Sequence, residues 1–272
     1  MGVNDITLAG GMRTNLLQMQ TVAALMARTS QRLSTGQRVN SPTDDAAAYF
    51  ASQGYRSRAS DLAVRKDSMG EAIQTISAAN EGVKAITALI EQAKGLTASA
   101  RSANTADRAK LATQFDALRG QMDQLAADAS YKGTDLINSA TASLVVDFNE
   151  GGTSSLTVTG FDATSTGLAI AAAANSWAAD ADIDAAVTSL DGALTTLRTN
   201  AANLGSNSSV ITTRQDFTAS MINVLTSGAD ALVVADPNEE GANMLALQTR
   251  QQLGIVALSM SAQSQNSILK LF

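Results

Sequence analysis

Apolar residues recur along this chain in steps of three and four, most regularly near its two ends. From Gly241 to Phe272 one stripe runs Met244, Leu247, Gln251, Gly254, Leu258, Ser261, Gln265, Ile268, Phe272. Such alternating steps trace the seam of a coiled coil. Leu253, Ala257, Met260 and Leu271 form a second stripe on another face. A helix that is apolar on more than one face needs burial on more than one side, so one partner helix cannot satisfy it. Residues 12–33 repeat the pattern through Met12, Leu16, Met19, Ala23, Met26, Ser30 and Leu33, with Asp5 and Arg13 the only charges between Met1 and Ala27. The shared seam predicts that the two ends pair. It nominates Met12, Leu16, Met19, Met26, Leu33, Met244, Leu247, Leu258, Ile268 and Phe272 as coiled-coil and subunit-interface positions.

The chain between the ends is read the same way. Gly36 suits the left-handed residue that ends a first helix. Ser41-Pro42-Thr43-Asp44 reads as a helix start, with Ser41 as cap, Pro42 in the first turn and Asp44 reaching back to the cap amide. Gly36, Asn40, Ser41, Pro42 and Asp44 thus form the predicted helix–loop–helix turn. A second helix is expected from Pro42 to Ala98, with seam Met69, Ile73, Ile76, Asn80, Val83, Thr87, Ile90. At ~1.5 Å per residue it would be a rod of roughly 80 Å. A third, from Ala106 to Ser130, carries Leu111, Phe115, Leu118, Met122, Leu125 and Ala129.

The character then changes. Leu144–Phe148 and Leu156–Phe161 flank Asn149-Glu-Gly-Gly152, the pattern of a β-hairpin. Residues 162–179 read as loop passing into helix, with Trp177 a packing anchor. A fourth helix carries Val187, Leu190, Leu194, Leu197, Ala201 and Leu204. Its seam is interrupted near Gly205-Ser206-Asn207 and resumes at Ile211, Gln215, Thr218, Ile222, Leu225, Ala229 and Leu232. The expected fold is mainly α: a long antiparallel coiled-coil helical rod with a small β-hairpin insertion. Its parts are 1–40 pairing with 238–272, shaft helices over 41–138 and 184–237, and a short hairpin and loop region over 139–183.

Composition narrows the function classes. Hydrophobic content is 45% but aromatics only 4%, which suits close-packed helices rather than a bulky core. A net charge of −6 with no basic run argues against nucleic acid. Cysteine and histidine are both absent, so the usual thiolate and imidazole metal ligands and the usual general base are missing. No catalytic, cofactor or metal site is expected. Asp180, Asp182, Asp184 and Asp191 have the spacing of a calcium loop, but Ala185 and Asp191 stand where that loop wants glycine and bidentate glutamate. Asp44 and Asp45 point ~100° apart on a helix, so capping explains them better than a catalytic pair. Gln251, Gln252, Gln263, Gln265 and Asn266 make a membrane span costly. The first residues lack a basic leader followed by an apolar core, so no cleaved secretory signal is expected.

Three separated segments carry a family resemblance. Leu33-Ser-Thr-Gly36-Gln-Arg38-Val-Asn40-Ser41-Pro-Thr-Asp44-Asp45 is the first. Asp67-Ser-Met-Gly70 with Ala79-Asn80-Glu-Gly82-Val-Lys-Ala-Ile86 is the second. Glu239-Glu-Gly-Ala-Asn243-Met-Leu-Ala-Leu247-Gln-Thr-Arg250-Gln-Gln-Leu253-Gly254, closing on Ser267–Phe272, is the third. Together they resemble bacterial flagellin of the α-proteobacterial type with a short variable region. The resemblance implies a non-enzymatic subunit of an extracellular flagellar filament, a helical homopolymer serving motility, with the terminal helices in its inner tube. It implies type III export without leader cleavage, and flagellar cap, hook-associated proteins and an export chaperone as partners. The hook–filament junction protein, which resembles flagellin at both ends, is the alternative. Many flagellins carry an arginine-rich patch recognised by a Toll-like receptor where this chain has Glu91-Gln-Ala-Lys-Gly-Leu96, so weak recognition is expected.

Overall fold

The computed structural model describes the backbone of residues 10–269 and the side-chain surroundings of residues 12–264. Among these residues the α-helices are α1 (Gly10–Thr35), α2 (Ala46–Ser102), α3 (Thr105–Asp128), α4 (Asp180–Val233) and α5 (Pro237–Leu269). Strands β1 (Ser143–Asp147) and β2 (Ser155–Thr159) form one antiparallel hairpin, with Ser143 opposite Thr159 and Asp147 opposite Ser155. The mainly α architecture with a small hairpin is the one expected.

The chain divides into two compact units. The first comprises residues 1–57 and 224–272, the second residues 58–223. The second unit holds the larger core. There α2 buries Met69, Ile76, Val83 and Ile90 with Ala72, Ala79, Ile86 and Ala93. Two adjacent stripes make a face wider than the single expected seam. Gly82 is required at one close approach: a Cβ there would lie 2.6 Å from both Ala129 Cβ and Ile137 Cδ1. In this unit α4 runs antiparallel to α2. Gln215 Nε2 donates to the Lys66 carbonyl, Lys94 pairs with Asp191 at 2.8 Å, and Arg101 pairs with Asp184.

The expected interruption of the α4 seam does not break the helix. Ser208, half-buried, keeps the alternation going from Leu204 to Ile211. Residues 180–191 are helical rather than looped, and Arg108 holds Asp180 at 2.7 Å. Asp180, Asp184 and Asp191 therefore serve as partners to bases on α2 and α3.

Residues 162–179 form no further α-helix before α4; α3 ties them down. Asp123 accepts from the Ser165 amide at 2.6 Å, Arg119 donates to the Ile170 carbonyl at 2.9 Å, and Asp116 accepts from the Ala173 amide at 3.1 Å. Positions 116, 119 and 123 share one helix face, so a single stripe clamps the segment. It leads to a turn in which Asn175, Ser176 and Trp177 all take left-handed φ, 48°, 51° and 58°. Trp177 is fully buried, its ring 5.1 Å from that of Phe115. Packing of this one large side chain accounts for a backbone conformation that costs ~1–2 kcal/mol per residue.

Candidate assembly interface

The first unit is built on α1 packed against α5. Along α5 from Met244 to residue 264, the shielded positions are Met244, Leu247, Gln251, Gly254, Leu258 and Ser261, and every other side chain is exposed. These shielded positions fall on one helix face. Gly254 is the point of closest approach, where an added Cβ would come within 2.5 Å of Met19 Sδ. The two helices also flank an open groove of about 450 Å³ lined by Asn15, Met19, Val22, Arg250 and Leu253.

On α1 the structure corrects the expected seam. Met12, Met19 and Met26 are half-buried, but Leu16 and Leu33 are 42% and 45% exposed. Asn15, Val22, Thr29 and Arg32 are shielded instead. Both stripes share the three methionines and differ only in whether the short or the long step comes first. Apolar residues stand on both sides of α1, so spacing could not choose. Tertiary bonds choose: Arg32 pairs with the buried Glu240 at 3.0 Å and turns that face inward. Of the α5 positions nominated above, Ile268 lies where side chains are outside the described residues, and Phe272 lies outside them entirely.

Two connections meet beside this pair. After Gly36, at φ 68°, the Arg38 and Val39 amides both donate to the Val233 carbonyl, at 2.7 and 3.2 Å. The Ala235 amide donates to the Gly36 carbonyl at 2.9 Å, and Arg38 Nη2 to the Leu232 carbonyl at 3.2 Å. The turn after α1 is thus laced to the turn before α5. Arg32 and Arg38 were not among the expected interface positions; the sequence shows only a base four residues before and another two residues after a helix-ending glycine, the second inside the first resemblance segment.

The helix–loop–helix turn is also rearranged. Asp44 Oδ2 accepts from the amides of Asn40 and Ser41, both at 3.1 Å. These bonds hold the Asp44 carboxyl below its usual pKa, the Asn40 amide contributing most. The cap of α2 is Asp45 rather than Ser41. Its side chain accepts from the Ala48 amide at 3.0 Å and its carbonyl takes the first helical bond, from Tyr49. Pro42 lies in the turn before the helix. Asp44 and Asp45 are both consumed by backbone amides.

What remains unsatisfied is apolar. Where α1 leaves α5 open, Leu245, Ile255, Val256 and Met260, with Leu253 at the groove's edge, are 53–66% exposed. A patch of this kind marks an interaction site. Among the described residues no helix is long and apolar enough to cross a membrane, and no cluster of acidic side chains could hold a metal ion. The geometry offers a binding face on α5.

Comparison with known proteins agrees with that reading. Residues 3–142 match the bacterial flagellin N-terminal helical region, and residues 187–272 match the bacterial flagellin C-terminal helical region. The hairpin and the clamped segment fall between the two. Flagellin FljM of Caulobacter vibrioides is 32% identical over the full length of both chains, and flagellin FljN of the same organism 33%. The flagellin of Brucella melitensis is 29% identical over 94% of this chain and 96% of its own. The protein therefore belongs to the bacterial flagellin family and is a structural subunit of the flagellar filament, not an enzyme.

Proposed function

We propose that the α1–α5 pair is the polymerising module and that its uncovered apolar residues are the contacts between neighbouring copies. The observation that carries this is the part of α5 that α1 leaves open, where five large apolar side chains stand in water. At ~25 cal/mol per Å², covering them supplies a driving force that the isolated subunit lacks. Head-to-tail contacts that do not close give a helical filament, and terminal helices covered on several sides fit its inner tube. In this reading residues 1–40 and 238–272 build the tube, 41–138 and 184–237 the shaft around it, and 139–183 the variable part. Met12, Met19, Met26, Met244, Leu247 and Leu258 hold the pair together. Leu16 and Leu33, exposed in the single chain, face other copies, and Ile268 and Phe272 extend the seam.

The same apolar surface is a hazard before assembly, so a cytosolic export chaperone covering α5 follows from it. Type III export of the unfolded chain without leader cleavage, growth under a cap protein and attachment through hook-associated proteins complete the proposal by family resemblance. Deleting Gly241–Phe272 tests it. Filaments should be lost in negative-stain microscopy while the truncated protein stays soluble, with the near-ultraviolet signal of Trp177 unchanged. Normal-length filaments from the truncated chain would sink the proposal.

A further inference from the structure

A second surface, in the unit formed by residues 58–223, has the opposite chemistry to the patch on α5. Between β2 and α4 lies a groove of about 360 Å³. Asn200, Asn203 and Asn207 of α4 line one wall; Thr157 and Thr159 of β2, with Phe161, line the other. The asparagines fall at i, i+3 and i+7, so they share one helix face. Gly160 and Leu204 lie buried at its base. Gly160 is required there, because a Cβ would approach the Leu136 carbonyl oxygen to 2.7 Å.

Two properties set this groove apart. No charged side chain lines it, although 16% of the chain is charged. Its asparagine amides and threonine hydroxyls have no hydrogen-bond partner among the described residues. Each asparagine amide both donates and accepts, as each threonine hydroxyl does. A row of such groups matches a ligand whose surface is itself a row of hydroxyls. Phe161, half-buried and packed against the core, adds some apolar surface to the lining, and a sugar's C–H side can pack on such a surface. The volume lies at the small end of ligand sites, ~300–1,000 Å³. A protein partner fits less well, since interface centres are enriched in aromatic residues, methionine and arginine, and here only Phe161 is of that kind.

We infer that this groove binds a neutral saccharide through Asn200, Asn203, Asn207, Thr157 and Thr159. The sugar comes either from the surroundings or from a glycan carried by another copy. The test uses the full chain, isotopically labelled, titrated with cellobiose, lactose, maltose and N,N′-diacetylchitobiose while the asparagine side-chain amides are followed by NMR. At least one probe is expected to shift all three groove amides with about millimolar affinity. Asn200→Ala and Asn203→Ala should each weaken it ~5-fold, the equivalent of one hydrogen bond. Both replace an outward asparagine with a better helix former, and unchanged circular dichroism verifies the fold. Binding that is equal on monomers and assembled filaments assigns the sugar to the surroundings. Binding to filaments only after enzymatic deglycosylation assigns it to a neighbouring copy. Absence of shifts at saccharide on the order of 0.1 M overturns the inference. So does protection of the groove amides in filaments that carry no glycan, since a neighbouring polypeptide would then fill it.

Discussion

The two units of this chain solve the hydrophobic problem differently. In residues 58–223 the large apolar side chains face one another: Trp177, Phe115, Met69, Ile76, Ile86 and Ile90 are all less than 2% exposed. In the unit formed by 1–57 and 224–272, none of the largest fully buried side chains is found among the described residues. Leu17, Phe50, Leu245, Leu253 and Met260 are instead 58–66% exposed. Composition does not explain the difference, because both units are alanine-rich and helical. Geometry does. The second unit packs several elements around one interior, while among the described residues α1 packs chiefly against α5. A two-helix pair covers one stripe per helix, and α5 carries two. What it leaves open is the surface proposed above to be covered by neighbouring copies.

That contrast can be attacked from both sides, beginning with the largest effect. Trp177→Ala should cost about 3–5 kcal/mol, read as a lower midpoint in urea unfolding followed by circular dichroism. A change below ~1 kcal/mol would mean that the second unit is not held by its interior. Arg32→Ala leaves the buried Glu240 carboxylate without its ion-pair partner. A loss of about 1–2 kcal/mol is expected, with faster hydrogen exchange at Arg38, Val39 and Ala235, the amides that join the two turns. Leu253→Ser with Val256→Ser should change monomer stability by no more than ~0.5 kcal/mol, yet raise the concentration needed for polymerisation. Equal assembly of this variant and the parent would remove this surface of α5 from the interface.

The smallest effect concerns pH. The Asp44 carboxyl is lowered in the folded chain, chiefly by the Asn40 and Ser41 amides that it accepts from. Its stabilising contribution is therefore present above the unfolded value near ~4 and is lost as pH falls through the lower folded value. Asp44→Asn should flatten the acid limb of a stability titration in that window and speed exchange at Asn40 and Ser41. An unchanged limb would show that the turn does not depend on the ionised carboxylate.

The sequence alone was enough for much of this. The α5 stripe from Met244 to Ser261, the left-handed Gly36, the hairpin around Asn149–Gly152 and the burial of Trp177 were all readable from spacing and residue type. They depend on local rules: helix period, glycine at positive φ, strand alternation and side-chain size. The α1 seam was not readable in full, because Leu16 and Val22 sit on either side of the methionine line and contacts with α5, among them the Arg32–Glu240 pair and the Met19–Gly254 approach, decide which side is covered. The cap of α2 moved from Ser41 to Asp45 because Asp44 found two amides in the preceding turn. The segment 162–179 has no period of its own; Asp116, Arg119 and Asp123 give it one conformation from across the fold. Local rules set which residues can form helices and strands. Tertiary structure decided which face of each is used, because that choice depends on partners far away in the chain.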